Sequence, residues 1–129
     1  MILVDTDVLV DVVRRYPPAM QWLEQLGSAD VTLPGFVVME LIEGCPSRVQ
    51  QRRVERILES FKIVWPSEET CERALKVFAH NYLAHGLGIL DAVIGQIAVD
   101  LDVPLASFNQ KHYSAIPGLK TVQPYSRMT

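Results

Sequence analysis

Three acidic residues stand alone inside otherwise apolar runs. Asp5 closes Met1-Ile2-Leu3-Val4, Glu40 interrupts Phe36-Val37-Val38-Met39 and Leu41-Ile42, and Asp91 divides Leu87-Gly88-Ile89-Leu90 from Ala92-Val93-Ile94. A carboxylate held against apolar neighbours is costly unless a cation or hydrogen-bond donors meet it. One such acid could find an arginine, but three in one small domain point to a shared cation. Hard oxygen donors suit Mg²⁺ or Mn²⁺, and the chemistry such a cluster predicts is metal-assisted hydrolysis. Each acid also has a plainer reading. Asp5 and Asp7 can be turn formers or helix caps after a strand, and Asp91 can serve a helix N-terminus. Glu43 and Asp11 are expected to face solvent.

A second polar group follows the apolar stretch Pro104–Ala106: Ser107-Phe108-Asn109-Gln110-Lys111-His112-Tyr113. Beside converging acids, the Asn109 amide can hold a metal-bound water or offer its carbonyl, and Ser107 can hydrogen-bond into the same cluster. Lys111 and His112 could meet phosphate at the rim. Arg48, Arg52, Arg53 and Arg56 form a dense basic cluster. Glu55 and Glu59 interleave with it, so a solvated helix face with intrahelical pairs is expected in preference to an RNA track.

The elements that must position these groups alternate between strand and helix. Strands are predicted at Ile2–Asp5, Val31–Leu33, Lys62–Trp65, Pro104–Ser107 and, more weakly, Lys120–Val122. A helix over Asp7–Arg15 is expected to be closed by Tyr16-Pro17-Pro18, with a second over Ala19–Leu26. Further helices are predicted at Phe36–Glu43 (mostly buried), Ser47–Ser60, from Ser67 to about Ala84, and Ile89–Leu101 (central). Ser67 is the expected N-cap of its helix. The alternation predicts an α/β/α three-layer sandwich around a central, mainly parallel sheet of about four to five strands. Ligands in such sheets bind beyond the carboxyl ends of the strands, the edge that holds Asp5 and Asn109. A plain hairpin of the two helices before strand four would set Asp91 at the opposite edge, so one of them is expected to cross obliquely.

Length and composition bound the rest. The 129 residues predict a single domain over 1–129, and the 49% apolar content is ordinary for a globular fold. No run is long enough to span a bilayer and no signal-peptide pattern opens the chain, so a cytoplasmic protein without membrane contact is expected. Cys45 and Cys71 lack zinc-site spacing and are read as reduced packing residues. The net charge of −3 does not advertise nucleic acid.

The four motifs together resemble the PIN-domain nucleases, and most closely the small VapC-like toxins of bacterial toxin–antitoxin pairs. The carriers are Asp5 in Leu3-Val4-Asp5-Thr6-Asp7-Val8-Leu9, Glu40 in Glu40-Leu41-Ile42-Glu43-Gly44, Asp91 in Asp91-Ala92-Val93-Ile94, and Ser107-Phe108-Asn109. The resemblance covers essentially the whole chain. It implies an acidic site of Asp5, Glu40, Asp91 and Asn109 binding Mg²⁺ or Mn²⁺, supported by Thr6, Asp7 and Ser107. It further implies endoribonuclease activity on RNA, homodimerisation, and neutralisation by an antitoxin protein. The family often has Asp where this chain has Asn109, which lowers the negative charge. That change, with the acidic net charge, keeps open a non-catalytic PIN-like binding module. A phosphatase of the haloacid-dehalogenase type, which the Asp5-Thr6-Asp7 triplet also resembles, needs acids after Lys111, and none follows Asp102.

Overall fold

The computed structural model describes residues 1–127. Five strands form one sheet in the order β3-β2-β1-β4-β5: β1 (Ile2–Val4), β2 (Val31–Pro34), β3 (Lys62–Val64), β4 (Leu105–Ala106) and β5 (Thr121–Val122). Every pairing is parallel. The helices are α1 (Thr6–Val13), α2 (Pro17–Leu26), α3 (Gly35–Glu43), α4 (Arg48–Leu58), α5 (Glu68–His85), α6 (Ile89–Leu101) and the short α7 (Gln110–Tyr113). Together they build the expected α/β/α sandwich. Leu3, Val4 and all four residues of β2 are buried, as required of central strands covered on both faces. Around them pack Val8, Leu9 and Val12 of α1, Val37 of α3, and Ile94, Ile97 and Ala98 of α6.

Local chemistry sets the ends of the elements. Arg15 takes a left-handed conformation (φ 57°) and stops α1 before the prolines. Pro17 and Pro18 do not close that helix; they open α2 from its first turn, where a missing N–H costs nothing. Ser67 caps α5 as expected, its hydroxyl accepting from the Thr70 amide at 3.1 Å. Gly86 ends α5 in the left-handed region (φ 65°), the usual task of glycine there.

Further expectations need correction. The helix α3 is not mostly buried: only Gly35 and Val37 are, while Met39 is 55% exposed. Cys71 is exposed instead of packed. The α5–α6 pair is antiparallel, and it does not set Asp91 at the opposite edge but brings it to the carboxyl edge. Because β4 runs parallel to β1 and follows α6 after a short link, α6 must descend from the carboxyl edge to the amino edge. The start of α5 is clasped to the end of α6 through Asp100, which accepts from Thr70 Oγ1 at 2.6 Å and Arg73 Nη2 at 2.7 Å. Val64–Ser67 line one cleft with Ile97, Asp100 and Leu101, so the link from β3 delivers the chain to that lower end.

Candidate active site

The register of the sheet builds the centre of the site. Leu3 pairs with Leu105 and Val4 with Ala106, so the next residues, Asp5 and Ser107, stand side by side where β1 and β4 end. The Ser107 hydroxyl donates to Asp5 Oδ2 at 2.8 Å, and both side chains are buried. Asp5 is also the N-cap of α1, its Oδ1 accepting from the Thr6 amide at 2.8 Å. Both oxygens are thus fixed by local donors. The chain leaves β1 toward β2 on one side and β4 lies on the other, which makes this the point where α/β sheets bind ligands.

Asp91 reaches the same place from the first turn of α6. Its Oδ1 accepts from the Tyr113 hydroxyl at 3.3 Å, and its Oδ2 lies 3.9 Å from His112 Nε2. Tyr113 is 1% exposed and its hydroxyl also interacts with Asp5. One phenol therefore sits between two carboxylates that are distant in sequence. Burial, then the negative charge of Asp5, pushes the Asp91 carboxyl above its ordinary range, against lowering by His112 and Tyr113. Burial and the flanking acids likewise push the Tyr113 phenol upward, so it stays a neutral donor.

Thr6 and Asp7 extend the cluster. The Thr6 hydroxyl donates to Glu40 Oε1 at 2.8 Å and ties α3 to α1. Asp7 Oδ2 accepts from the Phe108 amide at 3.0 Å, while its buried Oδ1 has no hydrogen-bond partner among the described residues. Burial and Asp5 push the Asp7 carboxyl upward. Asn109 is exposed and meets the cluster through its backbone N–H, which donates to Ser107 Oγ at 2.9 Å. Asp11 is not solvated as expected: it accepts from Tyr125 at 2.8 Å and Arg127 at 3.1 Å.

Asp5, Asp91, Thr6, Glu40, Asp7 and Ser107 thus lie in one chain of contacts, with Asn109 at its rim. Sequence reasoning missed Tyr113, whose only signal is an aromatic ring soon after Asn109 in a helix too short to show a period. It also missed the tail, where Arg127 donates to the Asp7 carbonyl at 2.9 Å and covers the Phe108 ring at 4.0 Å.

The donor set is all oxygen and largely anionic, and burial, then Asp5, pushes the carboxyls of Asp91 and Asp7 upward. Hard oxygen donors of this kind suit a divalent cation such as Mg²⁺ or Mn²⁺. Among the described residues, however, no three of the His, Cys, Asp and Glu side chains stand close enough to enclose an ion by themselves. Asp5 and Asp91 are the close pair, and Glu40 is turned toward Thr6.

Comparison with known proteins gives a consistent picture. Ribonuclease VapC10 of Mycobacterium tuberculosis is 33% identical over 123 residues, 93% of this chain and 91% of the relative. The structure is similar to a toxin–antitoxin complex chain from Klebsiella pneumoniae, with a TM-score of 0.79, 27% identity, and coverage of 98% of this chain and 100% of that one. In fold it also matches a chain of DNA-bound VapBC from Salmonella typhimurium, with a TM-score of 0.81 at 16% identity, covering 94% of this chain and 96% of that one. The PIN domain family model matches residues 2–117. With its parallel sheet and its acids gathered at the carboxyl edge, the chain belongs to the PIN-domain family, in its VapC-like branch.

Proposed function

We propose that the chain is a metal-dependent endoribonuclease, the toxin of a toxin–antitoxin pair, acting in the cytoplasm as one domain over residues 1–129. The observation that carries this reading is the meeting of Asp5 and Asp91 around the Tyr113 hydroxyl. The likeness to the Mycobacterium ribonuclease and to a chain of the Klebsiella toxin–antitoxin complex supports the activity and the antitoxin partner. No helix among the described residues is long and apolar enough to cross a membrane. A homodimer is part of the proposal, and the exposed apolar side chains Leu75, Tyr82, Leu83 and Ile89 on α5 and α6 are where we expect it to form.

Asp5 and Asp91, with Glu40 as the third carboxylate, would hold Mg²⁺ or Mn²⁺. Once bound, the ion would acidify a water and offset the charge that gathers on the phosphate oxygens. The protein's own groups do the rest. Ser107 and the Thr6 amide hold Asp5 in one orientation, so the carboxylate does not have to reorganise as charge develops. Tyr113 engages Asp91 Oδ1 and leaves Oδ2 to take a proton from water, a task that its raised basicity favours. Thr6 holds Glu40 at the mouth of the site. Asn109, exposed at the rim, orients water or a ribose hydroxyl.

The test is digestion of RNA in Mg²⁺ or Mn²⁺ by the wild type and by Asp5→Asn. Cleavage by the wild type alone is expected. Equal cleavage by both would remove the acids from the mechanism. No cleavage by either would favour the non-catalytic binding module, the reading that Asn109 and the open arrangement of the acids support.

A further inference from the structure

Beside the acids lies a cleft of about 410 Å³ whose far wall is cationic. Thr6, at the start of α1, and Glu40 line it together with Arg14, at the end of α1, and with Gln50 and Arg53 on α4. Arg53 Nη2 lies 3.5 Å from the Val13 carbonyl, which sets its guanidinium beside the backbone of Arg14. Neither arginine has an ion pair among the described residues. The expected pairing of the α4 arginines with Glu55 and Glu59 does not occur there either: Glu55 accepts from Gln51, and Arg56 from its own helix donates to the Arg52 carbonyl. Of the four α4 arginines, only Arg53 lines this cleft.

An acidic centre repels a polyanion, so a nuclease of this kind needs positive charge close to, but outside, the acids. We propose that Arg14 and Arg53 form a phosphate subsite that holds single-stranded RNA one nucleotide or more away from the bond being cut. The proposal rests on the ribonuclease reading and names the contact that seats its substrate. The guanidinium forks match phosphate oxygens, and Gln50, which also lines the cleft, supplies a neutral donor. The cleft opens directly onto Thr6 and Glu40, so a backbone seated on the arginines leads to the acids. A purely structural role is the alternative: both cations stand at the negative end of α1, and Arg53 could serve only to cap it.

The experiment measures binding of a fluorescent single-stranded oligoribonucleotide in EDTA, where cutting stops, across a series of salt concentrations. Wild type, Arg14→Gln, Arg53→Gln, Arg53→Lys and Arg52→Gln are compared, with melting temperatures for each. Arg14→Gln and Arg53→Gln are expected to weaken binding roughly 3- to 10-fold and to reduce the salt slope by about 0.7 each, as for the loss of one single-strand phosphate contact. Arg53→Lys should keep the slope, and Arg52→Gln should behave as wild type. An unchanged slope with a lower melting temperature would assign Arg53 to helix capping and overturn the subsite. Equal effects from Arg52→Gln would overturn it in favour of diffuse charge. RNA cleavage in Mg²⁺ separates the two levels: cleavage with arginine-independent binding sinks only the subsite. Arginine-dependent binding without any cleavage sinks only the nuclease reading.

Discussion

Asp91 carries a cost that its neighbours do not fully remove. Burial and Asp5 favour its protonated form in the folded protein, so its ionised form at neutral pH lowers stability in the absence of a cation. Asp91→Asn is therefore expected to raise the melting temperature in EDTA by about 2–6 °C while removing activity; scanning calorimetry of the metal-free protein reads the first effect. A fall instead would mean that His112 and Tyr113 overcompensate and that the carboxylate is a structural anchor. Tyr113 is the complementary case. Its phenol is buried and donates to an ionised group, so Tyr113→Phe should cost about 1–2 kcal/mol in urea unfolding and leave Asp91 still harder to ionise. Unchanged stability would show that the 3.3 Å contact contributes nothing. Residues of this kind are the least legible in a sequence. Asp5, Glu40 and Asp91 stood out because a lone acid breaks an apolar run; Tyr113 breaks no pattern, because an aromatic ring near a buried strand is what any core would contain.

At the level of elements, the sequence told more than at any single side chain. The order of strands and helices, the Ser67 cap and the weak fifth strand could all be read from period and capping chemistry. The prolines could not, because Pro17 and Pro18 are compatible with ending one helix or opening the next, and the left-handed turn at Arg15 decides between them. Asp91 reaches the expected edge, but the path of the hairpin that takes it there could not be read, for a different reason. It depends on where the chain enters α5, which is fixed by long-range bonds to Asp100 that leave no local signal. Those bonds make a prediction of their own. Arg73, Thr70 and Gln96 hold the Asp100 carboxyl at a pKa of about 2, below its ordinary 3.8. A depressed carboxyl stabilises the fold fully above about pH 4 and loses that contribution as pH falls through 2. Asp100→Asn should thus cost about 1–2 kcal/mol at pH 7, and the gap to wild type should close as the pH of chemical denaturation is lowered from 4 toward 2. A gap that stays constant with pH would remove the ion pair as its source.

For the molecule as a whole, the sheet brings acids from the end of β1 and from helices α3 and α6 to one edge and leaves cationic side chains on the wall of the neighbouring cleft. The acids do not enclose a cation unaided, so a bound ion should tighten the arrangement and stabilise the protein by mass action. Millimolar Mn²⁺ is expected to raise the melting temperature of the wild type and to leave that of Asp91→Asn nearly unmoved; equal shifts in the two would place the ion elsewhere. The most direct measurement is the rate of RNA cleavage against Mn²⁺ concentration for the wild type and Asp91→Asn under single-turnover conditions. The wild type should show a saturable rise that EDTA abolishes, with the variant slower by at least about 100-fold. An EDTA-resistant rate, the same in both proteins, would contradict a metal-dependent nuclease centred on Asp5 and Asp91.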